Sequence, residues 1–139
     1  MGAAVSITRL DLTASELRKA ASGEKDGAAA RRLLALALGL DGVVRFVPPV
    51  AQGELAEWYA AADLVAVPSY NESFGLIAVE AQASGTPVVA AAVGGLTTVV
   101  RDEVSGLLVD SHDAAAWAAA LQRIIGDEAL RDRLAVGAL

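Results

Sequence analysis

Two short apolar runs, each shut off by turn residues, constrain this chain more than any other feature. Residues 64–67 (LVAV) end at Pro68 and the polar turn Ser69-Tyr70-Asn71; residues 87–93 (PVVAAAV) end at Gly94-Gly95. Both are apolar throughout rather than at alternate positions, as strands buried on both faces of a parallel sheet are. Parallel neighbours need a crossover, and residues 73–83 between them have the composition of a helix. Glu72 stands at the mouth of that helix, and Glu80 lies eight residues further on. On a helix that separation is about 12 Å along the axis and about 80° around it, so the carboxylates would lie on adjoining sides. The first amides, from Ser73 to Leu76, lack carbonyl partners within such a helix, and Gly75 leaves the backbone open to close approach. Free N–H groups at the positive end of a helix dipole suit an anion. Carboxylates accept hydrogen bonds from paired hydroxyls. A matching ligand is anionic in the middle and hydroxylated at both ends, the layout of a nucleotide-sugar. The plainer alternative is a helix with Glu72 as its cap and Glu80 in solvent.

The rest of the chain continues the alternation. Further strands are expected at residues 3–10, 43–47 and 106–109, and helices at 17–21, 28–38, 54–61, 96–101, 113–125 and 127–134, the last frayed at Gly137. Strand and helix in turn predict the α/β class, a Rossmann-like parallel sheet with helices on both faces. Leu55, Trp58 and Tyr59 are expected on the buried side of helix 54–61. Trp117, Leu121, Ile124 and Ile125 form the apolar stripe of helix 113–125, with Ser111 or Asp113 as its cap. At 139 residues the chain is one domain by size. Hydrophobic residues make up 55% and aromatics only 4%, so the core must be aliphatic. A net charge of −6 argues against a nucleic-acid surface. The absence of cysteine excludes disulfides and thiolate metal sites and is compatible with a reducing cytoplasm. The first residues lack the basic-then-apolar pattern of a leader, and the apolar run 33–40 is too short to span a bilayer, so no membrane insertion is expected. His112, the only histidine, reads as an exposed loop residue rather than a catalytic base, and Asp102-Glu103 as a solvated turn.

The stretch PSYNESFGLIAVEAQASGTPVVAAAVGG closely resembles the C-terminal domain of retaining glycosyltransferases of family 4, which have the GT-B fold. Their motif is two glutamates separated by seven residues, with an S/G-F-G segment after the first; here these are Glu72, Ser73-Phe74-Gly75 and Glu80. The wording is most similar to the actinobacterial branch that moves N-acetylglucosamine from UDP-N-acetylglucosamine to 1D-myo-inositol 3-phosphate in mycothiol biosynthesis. The resemblance implies that Glu80 binds the donor's ribose hydroxyls and Glu72 a hydroxyl of the transferred sugar. It places the amides of Phe74, Gly75 and Leu76 against sugar and diphosphate, and uracil at the backbone of Val50. It also implies a structural Mg²⁺ held by main-chain carbonyls near Tyr59, Ala60 and Ala62 and by Thr86. All-oxygen ligation suits that ion. For Thr86 the plain alternative is a turn residue before Pro87. No organic cofactor is implied.

Family members hold the acceptor largely with a second, N-terminal domain. Residues 1–139 read as a single, incomplete C-terminal domain without that half. The family's cationic pair, which neutralises the leaving diphosphate, is echoed only by Arg9 and Lys19, and Arg9 reads as a surface residue. No catalytic residue is therefore assigned. The expectation is a chain that binds a UDP-sugar donor but transfers little or nothing alone. The competing expectations are a non-catalytic UDP-binding fragment and a structural remnant that forms a homodimer through an unpaired sheet edge.

Overall fold

The computed structural model describes residues 49–139. They form α1 (Gln52–Ala61), β1 (Val65–Val67), α2 (Leu76–Ala83), β2 (Val88–Ala91), α3 (Leu96–Val99), β3 (Gly106–Val109), α4 (Ala114–Gly126) and α5 (Glu128–Ala138). The strands and helices expected before residue 49, together with Arg9 and Lys19, lie outside the described residues.

The three strands form a parallel sheet in the order β1-β2-β3, with Val65 opposite Val88 and Val88 opposite Gly106. β2 is buried at every position. Successive strand residues point to opposite faces, so this strand feeds two cores. Val88 and Ala90 pack with Tyr59, Ala78, Ala81, Leu96 and Val100 from α1, α2 and the α3 segment. Val89 packs with Leu107, Val109, Ile124, Leu130 and Leu134 on the side of α4 and α5. The second apolar run is thus sandwiched between helices, as its lack of alternation predicts; the first is not, for in β1, which pairs with β2 alone among the described residues, only Val67 is buried and Ala66 is exposed. The core is aliphatic, and the fully buried Ala78 and Ala81 let α2 lie close on the sheet.

Several local expectations need correction. The first helix of the motif starts at Leu76 rather than at residue 73, because Gly75 caps it in the left-handed region (φ 88°) and the chain turns sharply there. Trp58 is 42% exposed and Ile125 63%, so neither belongs to the core. Helix α5 does not fray at Gly137. It runs through it, because Gly137 lies flat on the Val104 carbonyl, where a Cβ would collide. Arg101 Nη2 donates to the Gly137 carbonyl at 2.7 Å. Nor is Asp102-Glu103 merely solvated: Asp102 Oδ1 accepts from the Leu108 amide at 2.8 Å, and Glu103 forms a two-pronged pair with Arg123 at 2.9 and 3.1 Å.

Of the two candidate caps for α4, Asp113 is the one that acts. Its carboxylate accepts from the amides of Ala115 (3.1 Å) and Ala116 (3.3 Å), while Ser111 Oγ accepts from the Asp113 amide. Asp113→Ala is expected to lower stability by about 1 kcal/mol. A urea titration checks this, as a lower midpoint at unchanged slope.

Candidate functional site

In open parallel sheets, ligands bind beyond the carboxyl ends of the strands. Here β1 leaves the sheet at Val67 and residues 68–75 cross that end before α2 begins. Glu72 is half-buried in this loop and stands ahead of the helix rather than on it. Its Oε1 accepts from the amides of Phe74 (3.4 Å) and Gly75 (3.2 Å). Two amides expected to be open are therefore met by the protein's own carboxylate. Phe74 and Leu76 present their side chains to solvent. The turn after β2 holds the loop from behind: the Gly95 amide donates to the Glu72 carbonyl at 2.9 Å, and Gly94 (φ 48°) lies against that same carbonyl.

Glu80 has a different setting. It sits on α2 facing α1, where the Tyr59 hydroxyl donates to its Oε2 at 3.2 Å. Burial, and then this bond to a carboxylate, push the Tyr59 phenol above its ordinary range, so it stays a donor at neutral pH. Glu80 and Tyr59 line a cavity of about 310 Å³ with Gln52, Leu55 and Ser84. Glu72 is not in its wall. Val50, half-buried, comes two residues before Gln52. The picture of two carboxylates on adjoining sides of one helix gives way to one in a groove between α1 and α2 and one in the loop leading into α2.

Of the expected metal-side atoms, two converge. Thr86 is buried and its hydroxyl donates to the Tyr59 carbonyl at 2.6 Å, which also accepts from the Ala62 amide at 3.1 Å. Thr86 is thus more than a turn residue: it ties the end of α1 to the turn before β2. Among the described residues, no group of three or more His, Cys, Asp or Glu side chains is placed to hold a metal ion.

Sequence reasoning missed one contact at this end of the sheet. Tyr70 and His112 stack, ring centroids 4.1 Å apart. They come from different loops, and no local pattern pairs them.

Residues 6–138 match the family model for glycosyl transferases group 1. The chain belongs to that family. It is 72% identical to the D-inositol 3-phosphate glycosyltransferase of a Nocardioides species, over 76% of this chain and 24% of that relative. It therefore spans about a quarter of the length of that relative. Among solved structures, sucrose-phosphate synthase from Thermosynechococcus elongatus superposes with a TM-score of 0.77 at 46% identity, over 84% of this chain and 30% of that one. Anabaena HepE, solved in complex with UDP, superposes with a TM-score of 0.76 at 33% identity, over 84% of this chain and 32% of that one; it has also been solved with UDP-glucose. The helix-covered parallel sheet is that of the GT-B glycosyltransferases. No helix among the described residues is long and apolar enough to cross a membrane.

Proposed function

We propose that this chain supplies the donor-binding part of a retaining family 4 glycosyltransferase, one that moves N-acetylglucosamine from UDP-N-acetylglucosamine to 1D-myo-inositol 3-phosphate. The observation that carries this reading is Glu80, a carboxylate steered by the Tyr59 hydroxyl into the wall of a groove. Two acceptor oxygens fixed in that way suit the paired hydroxyls of a ribose. The kinship with inositol phosphate glycosyltransferases and with a UDP-binding neighbour supports the same assignment.

The loop of Glu72 supplies the other end of the donor site. In the free protein its carboxylate occupies the amides of Phe74 and Gly75. A diphosphate brings an equivalent anion to those amides and to the Leu76 amide at the start of α2, where the helix dipole favours it. Glu72 is then released to a hydroxyl of the sugar, and the backbone at Val50 takes the uracil. The amides would also stabilise the departing diphosphate in the transition state. Acceptor binding and the cationic pair are the functions this reading does not place in residues 49–139. For the chain alone we propose that UDP is released only at the background rate when UDP-N-acetylglucosamine and inositol 3-phosphate are supplied. Release at an ordinary enzymatic rate overturns that part of the reading. A remnant that only self-associates would give no heat with UDP.

A structural Mg²⁺ at Tyr59, Ala60, Ala62 and Thr86 belongs to the same proposal. Thr86 Oγ1 and the Tyr59 carbonyl would be two of its oxygen ligands, and the 2.6 Å hydrogen bond that now joins them would give way to the ion. The ion would supply an electrostatic tie rather than chemistry. Magnesium added to chelator-treated protein is expected to raise the Tm by a few degrees, and Thr86→Val to remove the rise while costing about 1–2 kcal/mol through the lost hydrogen bond. Scanning calorimetry with and without the ion checks both.

A further inference from the structure

We propose that His112 is a positioning residue for donor-sugar recognition: from the loop after β3 it clamps the loop that carries Glu72. This rests on the reading of Glu72 given above. β1 and β3 are not neighbours, since β2 lies between them. With strands roughly 4.8 Å apart, their two loops start about 10 Å from each other at the carboxyl end of the sheet. His112 bridges that gap twice. Its Nε2 lies 3.2 Å from the Ser69 carbonyl, which can only accept, so Nε2 carries the proton. Both the neutral Nε2–H form and the imidazolium can make this bond. Its ring stacks on Tyr70 with planes only 6° apart. Both contacts fall two or three residues before Glu72.

The arm that carries His112 is itself fixed. Trp117, packed against both cores, donates its indole N–H to the Ser111 carbonyl at 2.8 Å. Asp113 is bound into the start of α4. Residues 69–72 are thus gripped at one end by His112 and at the other by the Gly95 amide. The stack does not build core, for Tyr70 remains 81% exposed. What it can do is hold the Glu72 loop in one position. A clamp of this kind raises affinity by ordering the site before ligand arrives.

Glu72 meets the sugar and Glu80 the ribose, and the amides that meet the diphosphate are braced by Gly95 and the start of α2 rather than by His112, so the clamp predicts a selective effect. Calorimetric titration of the full 139-residue chain with UDP and with UDP-N-acetylglucosamine measures it. His112→Ala is expected to weaken UDP-N-acetylglucosamine about tenfold while leaving UDP within about twofold, with the thermal midpoint unchanged. Tyr70→Ala, a change at an exposed side chain, should reproduce the loss, and His112→Gln, which keeps a donor, should recover part of it. Wild-type affinity for UDP-N-acetylglucosamine in both His112→Ala and Tyr70→Ala overturns the proposal, as does an equal loss for both ligands. Glu72→Ala separates the two layers of argument. If it weakens the sugar nucleotide and His112→Ala does not, the clamp alone fails; if Glu72→Ala spares the sugar nucleotide, the role of Glu72 fails and the clamp with it.

Discussion

Glu80→Ala is expected to lower the affinity of this chain for UDP about a hundredfold. A hydrogen bond to a charged group contributes about 1.5–3 kcal/mol, and the carboxylate is assigned two of them, one to each ribose hydroxyl. A loss of about 3 kcal/mol corresponds to roughly two powers of ten. The substitution also leaves the Tyr59 hydroxyl facing the cavity without its acceptor. The fold itself should persist, because Glu80 is only half-buried and lies on the groove side of α2. Glu80→Gln keeps the shape and one acceptor oxygen, and should cost about tenfold. Tyr59→Phe leaves Glu80 charged but unsteered, and a loss of a few fold is expected. Calorimetry with UDP measures all three. Wild-type affinity in Glu80→Ala would show that the nucleotide is not held at the α1–α2 groove.

The second large effect is on the Glu72 loop. Gly94→Ala is expected to cost about 2–4 kcal/mol and to abolish discrimination between UDP-N-acetylglucosamine and UDP. Alanine in the left-handed region costs about 1 kcal/mol by itself. The greater part comes from space, since a Cβ at position 94 would run into the Glu72 carbonyl, which is backbone and cannot swing aside. Making room breaks the Gly95–Glu72 hydrogen bond of 2.9 Å and releases the rear of the loop. Gly85 provides the internal control. It has φ 75°, but a Cβ there meets nothing within 4 Å. Gly85→Ala should therefore show the conformational cost alone, about 1 kcal/mol, with donor recognition unchanged. Equal urea midpoints for the two variants would refute the steric argument.

The sheet was the most legible part of this chain. Residues 64–67 and 87–93 are apolar at every position, and each run holds a strand, but only the second is covered on both faces, since Ala66 in the first is exposed; the third strand, at 106–109, coincides with its expected span. The entrance to α2 was misjudged because Ser73 and Phe74 tolerate a helix, whereas the turn at Gly94-Gly95, twenty residues on, pins their backbone outside one. The self-capping of Glu72 was present in the sequence as the plainer alternative. Glu80 had no visible partner because Tyr59 is distant in sequence, and the Tyr70–His112 stack follows from strand order, which no local pattern encodes. Trp58 shows the limit of helical spacing: it locates one side of α1, but Tyr59 is the aromatic that reaches the core.

Val89 and Ala90 of β2 are successive residues, yet one belongs to the layer under α4 and α5 and the other to the layer under α2. The two layers share this strand, so opening of either strips one of its faces. Nucleotide bound in the α1–α2 groove should consequently slow amide deuteration in β3, a strand it never touches, by suppressing the global opening that exposes both layers.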